Sequence, residues 1–310
     1  MTAEQQLRGS VALVTGGGRG LGRVIARALA EAGAAVGLLG RSADDLAETV
    51  RLVEAAGGIA AAACADLGDE QATAEAVGEL RRRLGAVDVL VNNAGVCGPI
   101  GPLWEVPPDE WWRTIEINLG GVFACTRLVL PEMLARRRGR IVNLTSHAGV
   151  FRWPGVSAYA VAKSAVVKLT ENLAAEVRRE GVSVFSFHPG VQPIGLTEAA
   201  LAADAPPDSP ERRVADWLRR ELAEGRGAQP ERAAQLVVAL AAGRGDSLSG
   251  RHLSVHDDLD LLLERMDDIR RDDLCTLRLR EFRPDSDAST HAAPEEAAGA
   301  TDRVPLVSAA

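Results

Sequence analysis

An apolar run that leads directly into a cluster of glycines constrains the fold of this chain more than any other feature. Residues Ser10–Thr15 are typical of a buried parallel strand, and apolar residues recur at helical spacing from Val24 to Leu29. Strand, glycine turn and helix in this order predict a dinucleotide-binding fold. Glycines permit the tight turn and let backbone amides approach a pyrophosphate at the helix N-terminus. We therefore predict cofactor contacts from Gly16, Gly18, Arg19, Gly20, Leu21 and Gly22.

The only tyrosine in the 310 residues, Tyr159, stands four positions before Lys163. On a helix these positions share a face, so the phenol and the ammonium can reach one site together. A nearby cation lowers the pKa of a phenol from its usual value of about 10, which predicts an acid or base at Tyr159. An amphipathic helix whose tyrosine only packs has the same spacing, so this interpretation depends on the other motifs of the chain.

Four motifs, taken in order along the chain, resemble the short-chain dehydrogenase/reductase family. They are Thr15-Gly16-x-x-x-Gly20-x-Gly22, Asn92-Asn93-Ala94-Gly95, Ser146, and Tyr159 with Lys163. The resemblance covers roughly residues 8 to 256. It implies an α/β single-domain Rossmann fold with a seven-stranded parallel sheet flanked by helices. It also implies an NAD(P)-dependent oxidoreductase.

The resemblance assigns a role to each of four catalytic residues. Tyr159 exchanges a proton with the substrate, and Ser146 orients the substrate oxygen at the end of a fifth strand, Val142–Ser146. Lys163 holds the nicotinamide ribose and lowers the pKa of the tyrosine. Asn118 lies within a predicted helix, where asparagine has poor propensity. The family distorts its helix at this position to hold a water that links the lysine to solvent.

Three further segments are expected to contact the cofactor by the same resemblance. They are Asp66 and Leu67 after the third strand, Asn93, Ala94 and Gly95 after the fourth, and Pro189 and Gly190 after the sixth. Asp66 would contact the adenine, although a turn or helix-capping role explains this aspartate nearly as well. The family usually has a threonine soon after Pro-Gly. Here Thr197 comes late, so we assign no residue to the cofactor carboxamide.

The end of the second strand predicts NADP as the cofactor. An NAD enzyme would place a carboxylate there, but the sequence has Gly40-Arg41-Ser42. Arg41 and Ser42, with Arg19 in the glycine turn, offer cationic and hydroxyl donors for a 2′-phosphate. Either arginine taken alone could be a solvated surface residue. NAD is the less favoured cofactor.

Composition excludes several other classes of protein. The formal charge of −8 argues against nucleic-acid binding. No 18-residue apolar run and no secretory signal is found, so we expect a cytoplasmic protein without a membrane segment. The cysteines are scattered without metal-ligand spacing, which favours free thiols in a reducing compartment; they are Cys64, Cys97, Cys125 and Cys275.

Histidine spacing raises the question of a metal site. His252 and His256 are four residues apart, but residues 251–256 alternate like a final strand, which would place both on one face of a sheet. We therefore predict no metal site. His147 follows Ser146 and could touch the substrate, although a structural or surface role is at least as plausible.

The chain is predicted to hold one catalytic domain, residues 1–256, followed by an extension. Residues 196–228, with a Pro206-Pro207 break, form the expected substrate lid. Residues 257–283 are expected to hold a helix with an acidic first turn and an extra strand at 276–280. Residues 284–310 have the composition of a disordered tail.

We therefore predict an NADP-dependent oxidoreductase that acts on a ketone or secondary alcohol of a small metabolite. The resemblance implies a homodimer or homotetramer that pairs the helices bearing Asn118 and Tyr159. Two alternatives remain open at this point. The same site could catalyse a net non-redox epimerisation or dehydration, or the chain could be a redox-silent NADP-binding regulatory protein.

Overall fold

A computed structural model describes residues 6–279 of the chain. The strands are β1 Val11–Thr15, β2 Ala35–Gly40, β3 Ile59–Cys64, β4 Val89–Asn92, β5 Gly139–Leu144, β6 Val182–His188 and β7 His252–Ser254. The α-helices are α1 Gly20–Glu31, α2 Ala43–Ala55, α3 Glu70–Leu84, α4 Pro108–Ile115, α5 Gly121–Arg136, α6 Ser157–Glu176, α7 Leu196–Ala202, α8 Pro210–Ala223, α9 Pro230–Ala241, α10 Leu259–Glu264 and α11 Met266–Arg271.

The seven strands form one parallel sheet in the order β3-β2-β1-β4-β5-β6-β7. The strands are apolar on both faces because helices cover both, as parallel sheets require. Ala12 and Val14 of β1 face a core that includes residues of α1 and α9. Leu13 between them faces a second core with residues of α3 and α5. The predicted α/β fold with a seven-stranded parallel sheet is confirmed.

Two predicted strands end earlier than expected. β5 stops at Leu144, and Ser146 instead caps a 3-10 turn at His147–Gly149 by accepting a hydrogen bond from the Ala148 N–H. β7 stops at Ser254, so His256 lies beyond the sheet and does not share a face with His252. The prediction that one sheet face carries both histidines is therefore wrong, because a turn follows Ser254 at once.

The C-terminal extension is helical where an acidic first turn predicts it. The Asp258 carboxylate caps α10 by accepting from the N–H groups of Asp260 and Leu261. The prediction of an extra strand at 276–280 is wrong for residues 276–279, because these residues pair with no strand. The Leu277 N–H donates to the Glu171 carboxylate of α6 instead, at 2.6 Å. Residue 280 and the tail lie outside the described residues.

A continuous helical stretch from Pro108 to Arg136 joins α4 to α5 through a π-helical turn, Glu116–Gly120. It is the one helix among the described residues that is long and apolar enough to cross a membrane by length and composition. Half of its most apolar window is buried inside the protein, as in a core helix of a soluble protein, so this stretch is weak evidence for a membrane span.

Candidate active site

The glycine turn between β1 and α1 has the shape of a cradle for a phosphate group. Gly16 has φ of +65°, and a Cβ there would lie 3.0 Å from the Ala94 Cα. A Cβ on Gly22 would overlap the carbonyl oxygen of Gly16. No side chain caps α1, so its first N–H groups are open to an anion. The turn therefore fits the pyrophosphate of a dinucleotide.

Residues of β1 and β4 brace this cradle from beneath. The Thr15 hydroxyl accepts from the N–H groups of Asn93 and Ala94, both at 3.0 Å. Asn93 also donates its side-chain amide to the Thr15 carbonyl at 2.9 Å. Asn93 therefore holds the turn in place, besides lying where contact with a cofactor is predicted.

Two residues that sequence reasoning missed brace the cradle from the α2 side. Arg23 Nε and the Thr49 hydroxyl both donate to the Gly18 carbonyl, at 2.9 and 3.0 Å. Arg23 Nε also lies 3.0 Å from Thr49 Oγ1. A separation of 26 positions along the chain hides the pair in the sequence. The one feature of the sequence that could have indicated this contact is Arg23 itself, which stands one turn into the helix that follows the glycines.

At the end of β2, Arg19 and Arg41 are both exposed, and neither forms an ion pair with any residue in 6–279. Ser42 caps α2 by accepting from the Asp45 N–H at 3.2 Å, which leaves its hydroxyl proton free. This arrangement fits a 2′-phosphate.

Both carboxylate oxygens of Asp66 already have partners within the protein. One of its carboxylate oxygens pairs with Arg113 at 2.5 Å, and the other accepts from the Gly68 N–H at 3.0 Å. The turn role considered for Asp66 is therefore present. Its side chain remains 36% exposed, so a further contact to adenine is sterically open.

The predicted catalytic residues Ser146, Tyr159 and Lys163 lie together at the carboxyl end of β5. Lys163 is buried, its ammonium donates to the Leu144 carbonyl at 2.8 Å, and it lies 5.7 Å from the centroid of the Tyr159 ring. The Ser146 hydroxyl interacts with the phenol and lowers its pKa. Because an ammonium has three donors, two N–H groups of Lys163 remain for a ligand.

Burial dominates the acid–base properties of the pair. It raises the pKa of Tyr159 to about 12, against the opposing hydrogen bond from Ser146, and it lowers the pKa of Lys163 to about 8. In the protein without a bound cofactor, the predicted lowering of the Tyr159 pKa below its usual value is therefore wrong. The ammonium is directed at the Leu144 carbonyl, so it does not offset the desolvation of the phenol.

Asn118 lies in the π-helical turn, which is the helix distortion that the resemblance implies. Its side-chain amide donates to the carbonyls of Val96 and Thr114, both at 2.9 Å. Its Oδ1 is buried with no partner among the described residues. A Cβ on Gly95 would lie 2.7 Å from this oxygen and 3.6 Å from Lys163 Nζ, so Gly95 leaves open the space between the two groups. That space fits the predicted water.

The segment after β6 turns back over the glycine turn. Gly190 has φ of +79°, and a Cβ on Gly20 would lie 3.1 Å from the Gly195 Cα. Gln192, which sequence reasoning missed, is buried with Nε2 donating to the Pro189 carbonyl at 2.5 Å and with Oε1 unpartnered among the described residues. Gly195 therefore lies against the glycine turn, and the cofactor contacts of Pro189 and Gly190 stay a prediction.

His147, His188 and His252 lie in or shortly after the neighbouring strands β5, β6 and β7. The rings of His147 and His188 stack at 3.9 Å, and burial lowers the pKa of His188 to about 3. His252 contacts Ser186 at 3.1 Å, and burial lowers its pKa to about 4. Within residues 6–279, no group of three or more histidine, cysteine or acidic side chains could hold a metal ion.

Comparison with known proteins agrees with this geometry. The family model for short chain dehydrogenases matches residues 10–203. A short chain dehydrogenase of Pseudocercospora fijiensis is 35% identical over 84% of each chain. The 2-dehydro-3-deoxy-L-rhamnonate dehydrogenase (NAD(+)) of a Sphingomonas species is 36% identical over 76% of this chain and 88% of its own. The crystal structure of an actinorhodin polyketide ketoreductase variant with NADPH superposes with a TM-score of 0.73 and 31% identity, over 81% of this chain and 97% of that one.

Proposed function

The chain belongs to the short-chain dehydrogenase/reductase family of NAD(P)-binding oxidoreductases that act on CH–OH groups, and from this premise we propose a specific activity. The protein uses NADP and interconverts a ketone and a secondary alcohol of a small metabolite. The observation that carries the proposal is the group at the end of β5. There Tyr159 and Lys163 share one face of α6, with Ser146 beside the phenol.

In the reducing direction, the high pKa of Tyr159 keeps the phenol protonated until a substrate oxygen takes the proton. The Ser146 hydroxyl accepts from the Ala148 N–H and interacts with the phenol, and a bound substrate oxygen would replace the phenol as the acceptor of its proton. The two open N–H groups of Lys163 bind the nicotinamide ribose. Asn118 Oδ1 accepts from a water that returns protons towards Lys163 and Tyr159. A bound nicotinamide supplies the hydride.

The reaction balances as ketone plus NADPH plus one proton to give secondary alcohol plus NADP⁺. The carbonyl carbon gains the hydride and the oxygen gains the proton, and the reverse reaction oxidises the alcohol. The protein residues move only the proton.

The preference for NADP rests on the two exposed arginines. Arg19 and Arg41 have no carboxylate partner among the described residues, and no carboxylate stands at Gly40-Arg41-Ser42. A 2′-phosphate supplies the missing anion, and charge-assisted hydrogen bonds favour it over a hydroxyl. One relative is named for NAD(+), so the choice of cofactor needs a direct measurement.

The proposal is tested by incubating the protein with a panel of ketones and either NADPH or NADH, and by following absorbance and products together. We expect ketone-dependent oxidation of NADPH with one alcohol formed per NADPH. Product formed without net consumption of NADPH would replace the proposal by an epimerase or dehydratase. Tight NADPH binding without turnover on any ketone or alcohol would favour a regulatory binding protein.

We also propose that the protein is a homodimer or homotetramer through α5 and α6. Phe123 on α5 and Val161 on α6 are 54% and 50% exposed, which is unusual for apolar side chains on helices that pack against a sheet. Sedimentation of wild type and of Phe123→Glu tests this. A wild-type monomer, or a Phe123→Glu variant of unchanged mass, would contradict it.

A further inference from the structure

A cavity of about 570 Å³ lies between three segments that are far apart in the sequence. The loop after β4 contributes Trp104, the loop after β5 contributes Trp153 and Val156, and α8 contributes Trp217 and Arg213. The Gly101 N–H donates to the Gly155 carbonyl at 2.8 Å and joins the first two segments. Val156 directly precedes α6, three residues before Tyr159, so the cavity lies at the end of α6 that carries the phenol.

The walls of the cavity hold most of the indole groups of a chain that is poor in aromatic residues. Aromatic side chains make up only 4% of the sequence, yet three of its five tryptophans line this one cavity. The rings of Trp153 and Trp217 meet edge to face at 4.7 Å and form two perpendicular walls. Trp104 is 85% exposed, although an indole gains several kilocalories per mole from burial in general. Flat apolar walls of this kind favour a planar ring system as the occupant.

A single unpaired charge lines the cavity. The Arg213 guanidinium donates to the Asp208 carbonyl at 2.6 Å, and no carboxylate pairs with it in residues 6–279. Arg219 pairs with Asp216 and Arg226 pairs with Glu221, whereas Arg212 and Arg220 of α8 also form no ion pair within residues 6–279 but do not line the cavity. The remaining N–H donors of Arg213 lie in a fork that matches a carboxylate or phosphate.

From these observations we propose that the substrate is a planar aromatic ketone with an acidic group on the side of the ring system away from the carbonyl. The ring system occupies the space between Trp104, Trp153 and Trp217, and the acidic group binds Arg213. The carbonyl then faces Tyr159 and Ser146. This inference rests on the proposed ketone reduction and specifies its substrate.

Four ketones separate the two features of the substrate. They are 6-acetyl-2-naphthoate, which is planar and anionic; 2-acetylnaphthalene, planar and neutral; 4-oxopentanoate, aliphatic and anionic; and 2-pentanone, aliphatic and neutral. We expect kcat/KM to be highest for 6-acetyl-2-naphthoate. Equal values for planar and aliphatic ketones would overturn the inference while leaving the proposed ketone reduction intact.

Two variants then assign the preference to residues. Trp217→Leu should lower the ratio of kcat/KM for naphthyl over aliphatic ketones by about tenfold, since stacking and burial of the ring are lost. Arg213→Gln should lower the ratio of kcat/KM for 6-acetyl-2-naphthoate over 2-acetylnaphthalene by about 10- to 100-fold, and Arg213→Lys should restore part of it.

Matched controls are Trp112→Leu, which changes an exposed tryptophan outside the cavity, and Arg220→Gln on the same helix as Arg213. Ratios unchanged in the test variants, or changed equally in the controls, would overturn the assignment.

A binding experiment tests the proposed aromatic and anionic site without requiring that any ketone is reduced. The probe is 2-naphthoate, which has no ketone, added to the protein with and without NADPH while tryptophan fluorescence is followed. We expect saturable quenching in wild type that is weakened about tenfold or more in Arg213→Gln and in Trp217→Leu. If no ketone is reduced but this binding is present, the proposed reaction fails and the site stands. Absence of binding would overturn the site.

Discussion

The cofactor end and the substrate end of this molecule are built in different ways. At the predicted cofactor end, the cradle consists of backbone atoms at glycine positions. Asn93 donates hydrogen bonds to Thr15, and Arg23 and Thr49 donate to the Gly18 carbonyl. At the substrate end, the cavity is bounded by side chains of three separate segments. Large apolar side chains are exposed on two of these segments, among them Leu103, Trp104 and Phe151.

This difference follows from what each end binds. A dinucleotide presents the same phosphates and ribose to every enzyme that uses it, so one short local spacing of glycines can encode the contact. Substrates differ in shape and charge, so their contacts come from loops that vary without disturbing the sheet. The proposed catalytic residues Tyr159 and Lys163 on α6 lie between the two ends.

The largest effect is expected where the two ends meet. Tyr159→Phe should lower turnover by about 10²- to 10⁴-fold, the usual contribution of a positioned proton donor, while NADPH affinity changes little. Single-turnover kinetics and a fluorescence titration with NADPH measure the two quantities. Near-normal turnover in this variant would remove Tyr159 from the mechanism.

Lys163→Ala is the companion test, because the lysine serves both sides of the boundary. We expect both turnover and NADPH affinity to fall, since the ribose loses two N–H donors and the buried site loses its cation. Unchanged NADPH affinity would contradict the ribose role.

The next effect concerns the cofactor end alone. Charge-assisted hydrogen bonds between Arg41 and a 2′-phosphate contribute roughly 1.5–3 kcal/mol, or about 10- to 100-fold in affinity. Arg41→Asp should weaken NADPH by more than this, because it adds repulsion, and should improve NADH relative to NADPH. Titration of both cofactors into wild type and variant measures the ratio, and KM for the ketone should not change. A wild type that already prefers NADH would contradict the assignment of Arg41 to the 2′-phosphate, and the role of Arg19 would then have to be tested.

The next experiment tests how tightly the glycine turn is packed. Gly22→Ala forces a Cβ into the Gly16 carbonyl oxygen and should lower the free energy of unfolding by about 1–3 kcal/mol, together with loss of NADPH binding. Gly78→Ala in α3 is the matched control, because its Cβ would meet only the end of Arg82 at 3.5 Å. A helix-interior glycine of this kind costs about 0.5–1 kcal/mol relative to alanine, so the control should gain stability. Equal stability of both variants would contradict the tight packing of the turn.

The smallest effect is a pH dependence confined to the substrate end. Residues 6–146 contain no histidine, whereas His188 is buried at the end of β6 and His252 is half-buried at the start of β7, with pKa values lowered by burial to about 3 and about 4. Their ordinary pKa is about 6.5, so the unfolded chain binds more protons below that pH. Stability is therefore fully present above pH 6.5 and falls as the pH drops towards the folded pKa values.

Between pH 7 and pH 5, each of these two histidines should remove about 1–2 kcal/mol of stability. Urea unfolding across this range measures the total, and hydrogen exchange locates it. Protection should fall first around β6 and β7 and remain at the glycine turn. The double variant His188→Gln, His252→Gln should flatten the slope with pH, whatever its absolute stability. An unchanged slope would assign the pH dependence to other groups.

Much of the fold was predictable because its signals are local. Apolar strands followed by glycine turns and helical spacing predicted the parallel sheet, and Tyr159 and Lys163 share a face simply because a helix places residues i and i+4 together. Less was predictable at the element ends. β5 and β7 stop early because turns begin at Ser146 and Ser254, whose carbonyls accept from the Gly149 and Asp257 N–H groups, and alternation of residue types does not reveal these turns.

The sequence by itself determined the apolar strands, the glycine cradle and the residues that carry the chemistry, since each depends on residues close together in the chain. Only the tertiary structure decided the rest: that burial raises the pKa of Tyr159, that Arg23 and Thr49 fix the cradle, and that three distant tryptophans meet around one cavity. Desolvation and side-chain packing depend on atoms that are neighbours in space and not along the chain. For this reason spacing along the sequence predicts the class of reaction, and the proposed substrate preference depends on the packing of distant segments.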